Sequence, residues 1–241
     1  MPADRRPTCF VPRGDSRLHA IALKHAVLRQ GHDPHTVTAA VMLATQAHRH
    51  QKRSADGAPY LVHPLQVARL VCHWGGAQDD VVAAVLHDAA EDDPGGPQPM
   101  LARIHSLFGR AVSLRVQALT KNTGLACRAQ RAQDLQARLL LAMASLGPGL
   151  AAIRLADRLH NTATSAHFEA PRLQRLLDEN QRYIAPLASR LGTPAIAGFL
   201  QAGPAVWSQV EPGGFVPAML ALQPPWLQGS RHTPQAQPLP A

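Results

Sequence analysis

Residues 81–92 read Val-Val-Ala-Ala-Val-Leu-His-Asp-Ala-Ala-Glu-Asp, an apolar run that ends in His87, Asp88, Glu91 and Asp92. The pattern predicts a helix from about Asp79 to Asp92, stopping before Pro94. His87 and Glu91 are four apart, as are Asp88 and Asp92, and on a helix that spacing stacks side chains one turn apart on one face. The rest of the helix is apolar, so this sector faces an interior or a cleft. Carboxylates gathered in such a place are costly unless a cation holds them, and a divalent metal is the economical explanation. Glu91 and Asp92 also stand at a helix C-terminus, where the macrodipole disfavours negative charge, so their presence needs a cause. The His-Asp dipeptide alone carries no weight, because His32-Asp33 forms another one in a turn.

A second segment repeats the theme. Residues 153–161 read Ile-Arg-Leu-Ala-Asp-Arg-Leu-His-Asn, with Asp157 inside an apolar stripe, Asn161 four residues on and Thr164 three beyond that. Arg154 and Arg158 flank Asp157 and leave a buried ion pair as the alternative reading of that carboxylate. A third segment, Tyr60-Leu-Val-His-Pro-Leu-Gln-Val-Ala-Arg-Leu70, opens an apolar helix at His63, a position where a lone His is more often structural than a ligand. Taken together, His63, His87, Asp88 and Asp157 offer two imidazoles and two carboxylates from three helices. Such a set suits Mn²⁺, Fe²⁺ or Zn²⁺ better than Mg²⁺. A metal there lowers the pKa of bound water and polarises a phosphoryl oxygen, with Glu91 and Asp92 available as general base and acid.

Working outward, helical periodicity recurs from Ser16, read as an N-cap, to Gly31, with Leu18, Ile21, Ala22 and His25 on one face. It recurs at His35–Lys52, at His63–Trp74, at Met100–Leu107 and Arg110–Leu119, at Arg131–Ser145, at Leu150–Thr164 and at Pro171–Arg190, and weakens after Pro194. No alternating run rich in Val, Ile and Thr reads as a strand, so the fold class is all-α. Aromatic residues make up 4% of the 241, which argues against a β-sandwich and against a base-stacking single-strand binder. The organisation expected is a flexible N-terminal tail over 1–15, one domain over 16–200 and a Pro-rich C-terminal extension over 201–241.

Three scattered cysteines, Cys9, Cys72 and Cys127, argue against a disulfide scaffold and for a reducing compartment. The first residues lack the apolar core of a secretory signal, and the most apolar stretch, Leu135–Leu155, is interrupted by Arg and by Gly-Pro-Gly. A cytoplasmic protein with no membrane partner is the expectation. The formal charge of +8 suits an anionic partner such as a nucleotide, but no helix carries a basic stripe of the kind that binds nucleic acid.

At this point the residues are recognisable. His63, His87-Asp88 and Asp157 resemble the pattern of the HD-domain metal-dependent phosphohydrolases. Segments AHRHQKRSADGAPYLVHPLQVARLV, AAVLHDAAEDD, SLFGRAVSLRVQALTK, RLLLAM, IRLADRLHNTAT and YIAPLASRLG resemble, in order and spacing, the hydrolase domain of RelA/SpoT-type alarmone enzymes over about Val37 to Leu191. The resemblance implies a bundle of about eight to ten helices in a stand-alone small alarmone hydrolase. It implies one Mn²⁺, with Fe²⁺ or Zn²⁺ as substitutes, held by His63, His87, Asp88 and Asp157. It implies hydrolysis of the 3′-pyrophosphate of (p)ppGpp to GDP or GTP and pyrophosphate, with Glu91 and Asp92 beside the attacking water and the leaving 3′-oxygen. Asn161 and Thr164 match nucleotide-contacting positions, and Lys52-Arg53-Ser54 matches a basic loop against base and phosphates. The sequence departs from the family in reading Lys-Arg for Arg-Lys in that loop, His50 for Gly, and Ala163 for Arg. Related substrates therefore stay open: (p)ppApp, the 2′-phosphate of NADPH, or a pyrophosphorylated tRNA 3′ end in an antitoxin role. A nucleotide-sensing module without turnover is the other reading.

Overall fold

The computed structural model describes residues 15–53, 57–91, 93 and 95–203, so Ser54, Asp92, the expected tail before Asp15 and the extension after Gly203 lie outside the described residues. The described chain is helical: α1 (Ser16–Arg29), α2 (Pro34–Ala47), α3 (Val62–His73), α4 (Gln78–Leu86), α5 (Pro97–Leu119), α6 (Arg128–Leu146), α7 (Gly149–Ala163), α8 (Ala170–Glu179), α9 (Ala185–Arg190) and α10 (Pro194–Ala202). Among the described residues, extended pairing is confined to a single antiparallel bridge between Lys52 and Pro59. No helix there is long and apolar enough to cross a membrane.

Two helices form the centre. α4 is buried from Asp80 through Leu86, and α7 is buried without a break from Gly149 through His160. A helix buried on every side must be surrounded by others. α3 packs on α4, α1 and α7; α2 and α5 also cover α4; α6 and α10 cover α7. Leu65, Trp74, Leu86, Leu155 and Leu159 fill the space between them, each worth about 2 kcal/mol or more in burial.

Asp80 joins the two central helices. Its carboxylate accepts from the Ala77 amide at 3.1 Å and from Arg115 Nε at 2.7 Å, and it sits against the start of α7. There the backbone of Gly149 comes so close that a Cβ would fall on the Asp80 carboxylate. The side chain thus acts as an anion at the positive end of α7.

Several expectations are corrected. The cap of α1 is Asp15, which accepts from the Arg17 amide at 2.8 Å, and Ser16 is already helical. The buried face of α1 carries Ala22, as expected, with His19, Leu23, Ala26 and Val27, while Leu18, Ile21 and His25 are exposed. The sequence offers two apolar stripes on this helix, and docking against α3 chooses one. The fourth helix ends at Leu86, not at Asp92. α5 bends at Gly109, whose φ of 83° is left-handed, where the sequence pattern also breaks. The run expected as one helix over 171–190 is split by a π-helical turn, Asn180–Ile184, and α10 adds a helix where the pattern weakens. The π turn aims Asn180 inward, to accept from Arg158 Nε at 3.0 Å and donate to Thr162 Oγ1 at 2.8 Å and the Leu200 carbonyl at 3.2 Å. Glu179 accepts from Arg158 Nη2 at 2.9 Å, so the C-terminal helices brace α7 from behind.

Candidate active site

His63 occupies the first turn of α3, His87 caps the C-terminus of α4 and Asp157 lies mid-way along α7. Their side chains converge. His63 Nε2 is 3.3 Å from Asp157 Oδ1 and 3.6 Å from Asp88 Oδ2, and His87 Nε2 is 3.2 Å from Asp88 Oδ2 and 3.9 Å from Asp157 Oδ1. One ligand atom from each of His63, His87 and Asp88 lies within 4.8 Å of the others, a metal-sized grouping.

The helical-face argument for this cluster is not what assembles it. After Leu86 the chain leaves the helix in tight turns, with the Ala89 amide bonded to the Leu86 carbonyl at 3.0 Å and the Glu91 amide to the Asp88 carbonyl at 3.1 Å. The turns bring Asp88 back beside His87, and they also remove Glu91 from an adverse helix terminus.

The donor set fits a divalent cation. His87 Nδ1 donates to the Ala84 carbonyl at 2.8 Å, which leaves Nε2 facing two carboxylates as the ligand atom once its proton is displaced. That Nε2 is buried and has no hydrogen-bond partner among the described residues. Burial pulls the His87 imidazole down, but Asp88 and Asp157 outweigh it and push its pKa up to about 9. Burial, reinforced by His87, holds His63 below its ordinary value despite the same carboxylates. In the metal-free protein the proton therefore stands on His87, where an ion would sit. Burial opposes charge on Asp88 and Asp157, yet His87 holds Asp88 well below the carboxylate range, and His63 and Arg154 hold Asp157 there.

Asp157 serves both readings that the sequence left open. Oδ2 accepts from Arg154 Nη1 at 2.9 Å, while Oδ1 accepts from Asn161 Nδ2 at 2.5 Å and faces the two imidazoles. Arg158 turns away to Glu179. Asp88 Oδ2 takes the phenol of Tyr60 at 2.7 Å. Asn161 thus belongs to the cluster, whereas Thr164 accepts from Arg53 Nη2 at 2.6 Å at its edge. Lys52 is exposed, on a strap whose described arms, 51–53 and 57–60, are tied by Arg53 N to Ala58 O at 2.8 Å and Tyr60 N to Gln51 O at 3.0 Å.

Glu91 accepts from Lys121 Nζ and from the Lys121 amide, both at 2.8 Å. Burial raises its pKa, Lys121 opposes the rise and Asp88 adds to it. Between these groups lies a cavity of about 110 Å³ lined by Asp88, Glu91, Lys121, Arg154, Arg158 and Asn161, among others. A volume of a few waters holds one phosphoryl group, and the remainder of any nucleotide lies outside it.

Sequence reasoning missed Tyr60, Lys121 and His160 as site residues. Tyr60 stands three before His63 in a quoted segment, and His160 stands three after Asp157 on α7. Lys121 also closes a quoted segment, SLFGRAVSLRVQALTK, and only the end of α5 brings it to Glu91.

The family model described as HD domain matches residues 40–194. The guanosine-3′,5′-bis(diphosphate) 3′-pyrophosphohydrolase of Aquifex aeolicus (strain VF5) is 32% identical over 158 residues, 66% of this chain and 22% of that protein. The GTP pyrophosphokinase rsh of Brucella melitensis is 36% identical over 156 residues, 64% of this chain and 20% of that one. A probable guanosine-3′,5′-bis(diphosphate) 3′-pyrophosphohydrolase of Synechocystis is 32% identical over 172 residues, 68% of this chain and 22% of its own length. The chain spans about a fifth of the length of these curated relatives.

Proposed function

Because the chain belongs to the HD-domain family, we propose that it is a metal-dependent phosphohydrolase that removes the 3′-pyrophosphate of (p)ppGpp, acting in the cytoplasm on this small nucleotide. The observation that carries the reading is the pairing of the buried His87 Nε2 and its facing carboxylates with a phosphoryl-sized cavity. The reaction is the one printed in the names of the Aquifex and Synechocystis relatives.

His63, His87, Asp88 and Asp157 would hold Mn²⁺, with Fe²⁺ or Zn²⁺ as substitutes. When bound, the metal supplies a Lewis acid that polarises a phosphoryl oxygen and acidifies water. The rest falls to the chain's own groups. Lys121 presents a cation to the pyrophosphate, and Arg154 presents one while holding Asp157. Glu91, at the cavity wall with a raised pKa, takes the proton of the attacking water. Asp92 follows it in sequence as the acid that returns a proton to the 3′-oxygen. Water adds to the phosphorus and the bond to the 3′-oxygen breaks. GDP or GTP leaves with a 3′-hydroxyl, alongside pyrophosphate. Asn161 and Thr164, with Lys52, Arg53 and the Ser54 that follows them in sequence, take the nucleoside part outside the cavity.

Product analysis of metal-stripped protein with ppGpp tests this. GDP and pyrophosphate are expected with Mn²⁺ and not without it, and not from His87→Ala or Asp88→Ala. Absence of turnover in protein that binds Mn²⁺ refutes the ppGpp assignment. Ala163 and the Lys-Arg order then favour (p)ppApp, NADPH or a pyrophosphorylated tRNA end as the substrate to assay.

A further inference from the structure

His160 is fully buried on α7 and belongs to none of the roles assigned above. Its Nδ1 lies 3.2 Å from Arg53 Nη1 and 2.9 Å from His63 Nδ1. A guanidinium has hydrogens and no lone pair, so it can only donate. His160 Nδ1 is therefore an acceptor, and the proton between the two imidazoles sits on His63 Nδ1. That leaves the lone pair of His63 on Nε2, the atom facing Asp157 at 3.3 Å and Asp88 at 3.6 Å. If Arg53 were absent, His160 could take the other tautomer and put its own proton at Nδ1. Two N–H groups would then face each other at 2.9 Å, or His63 would surrender the proton to Nε2, where it blocks a metal.

We propose that His160 is a positioning residue that transmits the Arg53 guanidinium to the metal centre by fixing the tautomer of His63. Arg53 comes from the strap and also binds Thr164, so one side chain touches both the expected nucleotide edge and, through His160, the ion. A strap residue read as a substrate contact thus sets metal affinity before any substrate arrives. Partners of ligating imidazoles are typically worth about 10–100-fold in metal affinity.

The inference rests on the metal-centre reading, and the experiment separates the two. Mn²⁺ binding is titrated by electron paramagnetic resonance or calorimetry on the full chain with no nucleotide present. Arg53→Met and His160→Leu are expected to weaken Mn²⁺ about 10-fold or more, while His160→Asn, whose Oδ1 replaces the Nδ1 acceptor, stays within about threefold of the parent. Parent-like affinity in Arg53→Met overturns the inference, as does parent-like affinity in a His160→Leu protein that keeps its melting temperature. If His160→Leu does not fold, Arg53→Met alone decides. If the unsubstituted protein binds no Mn²⁺, the metal-centre reading fails and this inference fails with it.

Discussion

The proton held on His87 makes a prediction with opposite signs in the metal-free and metal-loaded protein. In the metal-free protein, burial lowers the His87 pKa but Asp88 at 3.2 Å and Asp157 at 3.9 Å carry it to about 9, against an ordinary 6.5. A group whose pKa is higher folded than unfolded stabilises the fold fully below the unfolded value and loses that contribution as pH climbs through the folded value. From about pH 7.5 to 8.5 the native state keeps most of this proton while the unfolded chain has lost it. Stability therefore falls by about 1.4 kcal/mol per pH unit. For a domain of this size that is a drop of roughly 3–6 °C in Tm per unit. His63 and His160 are held below their ordinary values, so above about pH 7.5 they are neutral in the folded and the unfolded chain alike, and Cys72, pushed up to about 11, contributes only above this window. Mn²⁺ must displace the same proton, so its affinity should rise about tenfold per pH unit over the same range, with close to one proton released per ion. Thermal melts with chelator, and calorimetry with Mn²⁺ in buffers of different ionisation enthalpy, read both quantities. A metal-free Tm that is flat or rises with pH, or a Mn²⁺ affinity that ignores pH, refutes the assignment of the proton to His87. His87→Gln should abolish both slopes.

Three further outcomes follow from the packing and charge. Gly149→Ala drives a methyl into Asp80, which cannot swing aside without breaking its buried bond to Arg115; melting should show a loss of about 3 kcal/mol, and a parent-like Tm would refute the close approach. Asp157→Asn keeps the shape and the bond to Arg154 but removes the charge, so Mn²⁺ binding should be lost in titration while the fold, followed by circular dichroism, persists. Lys121→Met takes away the cation that opposes protonation of Glu91, so the acid limb of kcat/KM should move to higher pH, and an unmoved limb would remove Glu91 from the role of base.

The fold was legible because helical periodicity and turn residues are local signals. The break at Gly109, the start of α3 at His63-Pro64 and the end of α1 before Gly31 are all written in short stretches. Its errors fall where a local pattern is degenerate. α1 has two apolar stripes, and the residues after Leu86 continue a helical pattern that the backbone abandons. The π turn at Asn180 was invisible because it is stabilised by Arg158, Thr162 and Leu200, all distant in sequence.

For the site, the sequence alone determined which residue types carry chemistry and on which segments they stand, since a His-Asp pair after an apolar run and an Asp inside an apolar stripe are anomalies that burial energetics cannot ignore. Only the tertiary structure decided which atoms meet. α3, α4 and α7 converge from positions far apart in the chain, the turns after α4 fold Asp88 back onto His87, and α5 delivers Lys121 to Glu91. Tyr60 and His160 enter the site in the same way, through contacts of 2.7 and 2.9 Å. The physical reason is that burial is a one-body preference readable from each residue, while a hydrogen bond or a ligand set is a many-body geometry that exists only once the helices have docked.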